Sequence, residues 1–273
     1  MIYFSYKSNI HLIEVLVNMI KMLEMNPSLI KTIENPSDEM KKLAVSKDGL
    51  LLRYIKNATE EIKKLALNNN KRAIEYIDNP SEKMMLDVVQ DSWNNLKYIK
   101  EPTEKVIIEA VKEKGWAIQY IANPSEKLQL EAVKVDYDSI KYIKNPSEKV
   151  QIEAIKVKYD ALRYIENPSL KAEIEAIKIN EAAINFIEDL DKKRINIFLR
   201  ENILIVKYIF NKISENEIKE RLKDVIQDEN VSEKYVRDFL NCEAISFDKL
   251  RFIYEYGSKK AKRITVDEKL KIN

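Results

Sequence analysis

The sequence predicts an all-α fold, a right-handed α-solenoid of 22-residue two-helix repeats with helical caps. Three observations point there. Tyr54, Tyr76, Tyr98, Tyr120, Tyr142, Tyr164, Phe186 and Tyr208 fall 22 residues apart, and an isoleucine follows each. Two residues after most of those isoleucines comes Asn-Pro or a relic of it, as at Asn57-Ala58, Asn79-Pro80, Glu101-Pro102, Asn123-Pro124, Asn145-Pro146 and Asn167-Pro168. A period of roughly 20–50 residues marks stacked supersecondary units rather than one globular core. Glycine occurs only 3 times in 273 residues. That argues against a turn-rich β fold and against a Gly-rich phosphate cradle.

Residues 1–35 read as an N-terminal capping helix. Ile10, Ile13, Leu16, Val17, Ile20 and Leu23 recur at three- and four-residue steps, the spacing of one helix face. Lys7, His11, Glu14, Lys21 and Glu24 interrupt the stretch, so neither a signal peptide nor a membrane span is expected.

Residues 36–211 read as about eight repeats. In the unit from Pro146 to Asn167, Asn145 is expected to cap the first helix. Pro146 would take the first helical position, where its missing N–H does no harm, and Glu148 would close a capping box. That helix should run from Pro146 to Val157 with Val150, Ile152, Ala154 and Ile155 facing inward. A shorter element should start near Tyr159 or Asp160 and end at Ile165. Twenty-two residues are few for two full helices, so an α or 3₁₀ turn and a half is expected there. The first repeats are worn, with Lys42 and Lys64 where later units carry Leu86, Ile108, Leu130, Ile152 and Ile174. The eighth places Phe198 where Ala154 stands. Residues 212–273 read as two or three helices, such as Glu215 to Gln227 and Ser232 to Leu240, ending in a basic tail.

The run from Asn145 to Lys156, with Tyr-Ile-x-Asn closing the unit, resembles short α-helical repeats of bacterial and bacteriophage proteins. In length and in its proline-led helices it is also similar to leucine-rich-variant and HEAT-like solenoids. The resemblance covers about residues 36–211 and transfers no catalytic residue. It implies a binding scaffold and, for bacteriophage members, an inhibitor of a host defence protein.

Composition narrows the chemistry. The net charge of +2 supplies no bulk attraction to nucleic acid or anionic membrane. Cys242 is the single cysteine and His11 the single histidine, which leaves no disulfide, no Cys/His zinc set and no Ser-His-Asp triad. No catalytic residue, metal or cofactor is expected, and the chain reads as a cytoplasmic, non-enzymatic protein. Its expected partner is another protein, with no membrane involved. The repeated tyrosines suit core positions with their hydroxyls at the rim better than a stacking platform. Glu109, Glu131, Glu153 and Glu175 beside Lys112, Lys134, Lys156 and Lys178 suit a solvated, salt-laced face. Arg53, Lys97, Lys141, Arg163 and Lys207 form a partial basic ladder. The repeats from Pro80 to Asp189 nevertheless hold 16 Lys/Arg against 20 Asp/Glu, a net of −4, which disfavours phosphate tracking.

Four aromatics break the pattern at the turn between the two helices: Trp93, Trp116, Tyr137 and Tyr159. Variation at one place on a constant frame is how repeat proteins diversify a binding edge, and Trp and Tyr are favoured anchors. The same rings could instead simply cover the turn, and the sequence leaves both readings open. A second candidate lies in the stretch from Lys249 to Asn273, with eight Lys/Arg and three Asp/Glu, a net of +5. Its densest part, Lys259, Lys260, Lys262 and Arg263, reads as a solvated tail or as contacts for an acidic partner or phosphate. Nucleic-acid binding through that region is the alternative function, and a HEAT-like DNA-processing enzyme a distant third.

Overall fold

The 22-residue period folds as a ten-residue α-helix followed by a six-residue 3₁₀ segment, joined by one extended residue. A computed structural model describes residues 2–270, with side chains from residue 14 onward. Ile10, His11 and Ile13 therefore lie outside the described side chains. Among the described residues the chain is helical throughout its regular structure, with no strand. It divides into two units, Met1–Asn123 and Pro124–Asn273.

The first unit holds α1 (Ile2–Met25), α2 (Asp38–Lys47), α3 (Glu60–Asn69), α4 (Glu82–Asp91) and α5 (Glu104–Glu113). The 3₁₀ segments Pro27–Thr32, Gly49–Tyr54, Lys71–Tyr76, Trp93–Tyr98 and Gly115–Tyr120 follow them in turn. The end of α1 closes the first repeat with a fully buried Leu23, whereas Leu16 and Val17 stand exposed. The expected inward stripe is therefore narrower than the spacing suggested. The second unit holds α6 (Glu126–Val135), α7 (Glu148–Val157), α8 (Leu170–Ile179) and α9 (Lys192–Glu201). Its 3₁₀ segments are Tyr137–Tyr142, Tyr159–Tyr164, Glu181–Phe186 and Ile203–Ile205. The short α10 (Val206–Ile209) leads to α11 (Glu215–Ile226), α12 (Glu233–Asn241), α13 (Lys249–Tyr256) and α14 (Lys259–Leu270). The basic stretch is thus helical and packed, not a solvated tail: Phe252, Ile253, Ala261 and Ile264 are buried.

The helix starts differ from the sequence expectation. Ser147, not Asn145, caps α7, its Oγ accepting the Val150 N–H at 3.4 Å. Ser81 and Ser125 cap α4 and α6 in the same way. Asn57, Asn79, Asn145 and Asp189 instead take positive φ near +50°. Asn and Asp are the side chains that enter that left-handed region at least cost. The Asn-Pro pair is therefore a turn that delivers a serine cap. Glu148 becomes the first helical residue, too early to close a capping box. A complete capping box occurs once among the described helices, at Ser214 and Glu217.

Displaced from that role, the Glu of each Asn-Pro-Ser-Glu reaches the next repeat. Glu126 accepts from the Ser147 hydroxyl at 2.8 Å and the Lys149 ammonium at 3.4 Å, and Glu148 pairs with Lys171 at 2.9 Å. In the first unit Glu82 does the same with Thr103 and Lys105. These contacts hold the Glu126 and Glu148 carboxyls below the usual range, first through Ser147 and through Lys171 respectively. The core lies between α-helix and 3₁₀ layers. Ala44, Ala66, Ala110, Ala132, Ala154 and Ala176 are fully buried at one frame position, small enough for neighbouring helices to approach. Val111, Val133, Ile155 and Ile177 fill the next, and Ile118, Ile140, Leu162 and Ile184 cover them from the 3₁₀ side.

Candidate functional site

The corner where each α-helix gives way to its 3₁₀ segment is built by a single residue in extended conformation. Asp136, Lys158 and Asn180 take φ of −138°, −158° and −153° and break the helix there. In the second unit the last helical residue before that break is Val135, Val157 and Ile179 in successive repeats. These residues are 40%, 47% and 47% exposed. Because α6 packs on α7 and α7 on α8, one frame position puts these three on one edge, roughly 10 Å apart. Tyr137 and Tyr159 begin the 3₁₀ segments just past the corner and are half-buried. The Lys158 ammonium lies 5.1 Å from the centre of the Tyr137 ring and donates to its hydroxyl. Asp160 holds the same lysine at 2.9 Å. Tyr159 stacks on Phe186 of the next repeat, with ring centres 6.3 Å apart.

In the first unit Trp93 stacks on Tyr120 in the same manner, at 6.3 Å and 26°. The Tyr120 hydroxyl donates to Asn94 Oδ1. Lys114 lies 5.1 Å over the Trp116 ring, and both tryptophans are half-buried. The helix ends beside them carry Asp91 and Glu113, so no aliphatic edge forms there. The turn aromatics thus cover the neighbouring repeat with one part of the ring and expose the rest. Val135, Val157 and Ile179 escaped the sequence reading. Their signal was available: three branched aliphatics 22 residues apart at a position that elsewhere holds Lys47, Asn69, Asp91, Glu113 and Glu201.

The regularly spaced aromatics from Tyr76 to Phe186 lie on the 3₁₀ face, half-buried beside their isoleucines rather than within the core; Tyr54 is 43% exposed, and Tyr208, on α10, is 42% exposed. The basic ladder lies over them. Arg53 and Lys31 flank Tyr54 at 4.8 and 4.9 Å, Lys97 and Arg72 flank Tyr98 at 5.0 and 5.4 Å, and Arg163 lies 4.5 Å from Phe186. Lys141 lies between Tyr142 and Tyr164 at 5.0 and 5.7 Å. These are cation–π contacts that cover the rings; charge is offset only where an acid is paired, as Lys141 pairs with Asp138 at 3.0 Å and Lys207 with Glu181 at 3.2 Å.

Two open grooves of about 640 and 630 Å³ run between the turns on this face of the second unit, both walled by Tyr164. Their floor is polar. Gln151 is buried, donates to the Pro146 carbonyl at 3.0 Å and accepts the Ser169 N–H at 2.8 Å, linking two consecutive turns. One repeat on, Glu173 is 3% exposed and pairs with Arg194, whose other donors reach the Glu188 and Asp189 carbonyls. Burial pushes the Glu173 carboxyl up, and Arg194 draws it only part of the way back.

The second candidate from the sequence, Lys259, Lys260, Lys262 and Arg263, starts α14. The backbone N–H groups of Lys259 and Lys260 donate to the Glu229 carboxylate, so that helix end already holds an anion. Among the described residues no group of three His, Cys, Asp or Glu side chains converges, and no helix is long and apolar enough to cross a membrane. Cys242 is buried. Comparison with protein-family models, curated proteins and solved structures finds no match for this chain.

Proposed function

We propose that this chain is a non-enzymatic protein-binding scaffold, an adaptor or inhibitor, and that it docks a protein partner on the corner edge of its second unit. The observation that carries the reading is the line of exposed Val135, Val157 and Ile179 beside Tyr137 and Tyr159. Contiguous exposed apolar surface is disfavoured in water and marks interaction sites, with aromatic rings as anchors. The occupant is a protein surface that presents an apolar ridge. Of the exposed lysines that border the stripe, Lys134 and Lys178 already pair with Glu153 and Glu201 at 4.0 and 3.3 Å, which leaves Lys156 to favour a carboxylate on the ridge's flank. The single buried Cys242 suits a reducing cytoplasm. The repeat resemblance suggests a bacteriophage protein acting on a host defence protein as one form of this role.

The test uses the full chain and a partner captured from lysate. Val157→Lys and Ile179→Lys should abolish that complex while leaving circular dichroism and thermal unfolding as in the wild type. Retention of the complex by both variants sinks the proposed edge. A wild-type chain that sediments as a dimer, and a Val157→Lys chain that sediments as a monomer, assigns the edge to self-association instead.

A further inference from the structure

We infer that the corner between α13 and α14 is a second, separate binding site, one that takes single-stranded nucleic acid. Tyr254 serves as its stacking platform, and Lys259, Lys262 and Arg263 as its phosphate contacts. Tyr254 is 80% exposed, more than any other aromatic residue described, so its ring offers an open face. The Lys262 ammonium lies 5.7 Å from the centre of that ring. Lys259, Lys262 and Arg263 stand three and four residues apart, which puts them on one outward face of α14.

The ion pairs that hold many of the repeat lysines are absent from this cluster. Along the repeats, Lys105, Lys149, Lys158, Lys171 and Lys207 each meet a carboxylate. On α12 and α14, Arg237 takes Glu233 and Glu268. Lys259, Lys260, Lys262 and Arg263 make no ion pair with any described residue. Four like charges within five residues repel one another, and the Glu229 carboxylate beside them is bound to the Lys259 and Lys260 backbone N–H groups rather than to their ammoniums.

The platform beneath them is firm. Ala261 and Ile264 fix α14 from below, Phe252 and Ile253 fix α13, and Glu229 occupies the α14 N-terminus. The cations therefore point outward from packed helices. A single strand presents monoanions and flat bases together, and proteins that bind it combine a basic track with aromatic faces. An acidic polypeptide would match the charge and leave the open ring unused.

The probe is a 5′-fluorescein oligouridine 20-mer, titrated with the full chain and read by anisotropy. Binding should weaken more than tenfold between about 50 and 200 mM NaCl, as counterion release requires. Tyr254→Ala should weaken it about tenfold, the loss of one stacked base, and Tyr254→Phe should not. The double variant Lys262→Gln/Arg263→Gln should lower the slope of log K against log salt by about 1.4. Circular dichroism confirms that each variant is folded. No binding at 50 mM salt overturns the inference, and so does wild-type affinity in Tyr254→Ala. Equal or tighter binding to polyglutamate assigns the site to an acidic protein. Equal or tighter binding to anionic phospholipid vesicles assigns it to a membrane surface. Either result also overturns the inference.

Discussion

Ser139 should be a destabilising residue whose removal strengthens the protein. It lies in the 3₁₀ segment Tyr137–Tyr142, is fully buried, and its Oγ has no hydrogen-bond partner. The same frame position holds Ala73, Ala117, Ala161 and Ala183, all fully buried, so the surroundings are shaped for a methyl group. Asn95, the other polar occupant, donates to the Val88 carbonyl at 3.1 Å. A hydroxyl buried without a partner costs about 1–3 kcal/mol, and a serine differs from alanine by that one atom. Ser139→Ala should therefore raise stability by about 1–2 kcal/mol. The reciprocal change, Ala161→Ser, should lower it by a similar amount, and the double swap should come out near neutral. Urea unfolding followed by far-UV circular dichroism reads all three. A midpoint shift at constant slope reports stability alone. Loss of stability in Ser139→Ala would refute the reasoning, because it would mean the hydroxyl is satisfied in solution.

Arg194→Ala should cost about 3–5 kcal/mol, since it leaves the Glu173 carboxylate buried and frees two turn carbonyls. Adding Glu173→Gln should restore part of that loss in the same urea assay, because glutamine is the residue at 129 and 151. Asn145→Val should destabilise by about 1–2 kcal/mol and Asn145→Gly should not, because φ is +48° there and a β-branched side chain resists that region. The Lys192 ammonium and the Ser214 N–H hold the Glu217 carboxyl down at about 2, against the usual 4.5 of a free glutamate. The folded state then binds the proton more weakly than the unfolded chain does. The resulting stability is present above about pH 4.5 and is lost as pH falls toward 2. Glu217→Gln should therefore show a shallower fall in thermal midpoint across that window than the wild type.

The repeat was legible because its signals are local and redundant. A period of 22, an isoleucine after each aromatic and a proline at most junctions place the two-element repeat before any contact is known. The shortness of the unit left room for only an α or 3₁₀ turn and a half after the first helix, and the structure shows 3₁₀ from Tyr159 to Tyr164. The cap was misread because Asn and Ser both cap helices, and only φ separates them. Asn145 at +48° is a turn residue, and Ser147 at −60° is the cap. Which neighbour Glu148 would meet was not legible either. A residue at that place reaches its own cap or the next repeat, and the two-residue shift of the helix start decided for Lys171. The basic stretch in α14 was read by charge, and charge outweighed the weaker apolar signal of Ala261 and Ile264.

The second unit's apolar edge and its polar floor occur in the same three helices. Gln129 and Val135 lie on α6, Gln151 and Val157 on α7, and Glu173 and Ile179 on α8. The corresponding pairs are Met85 and Asp91 on α4, Ile107 and Glu113 on α5, and Ile195 and Glu201 on α9. A buried polar link costs stability unless every partner is supplied, so it is a poor choice where an aliphatic side chain would pack. Gln151 meets that condition by tying the turn before its own helix to the turn before the next. Its effect is to fix how α7 sits against α8 at their N-terminal ends. A fixed register there sets the spacing of Val157 and Ile179 at the opposite ends of the same helices. An apolar ridge can be matched only by a surface whose own spacing is constant, and a rigid edge loses less entropy when it is covered. The polar floor thus makes structural sense as the element that holds the exposed edge in register.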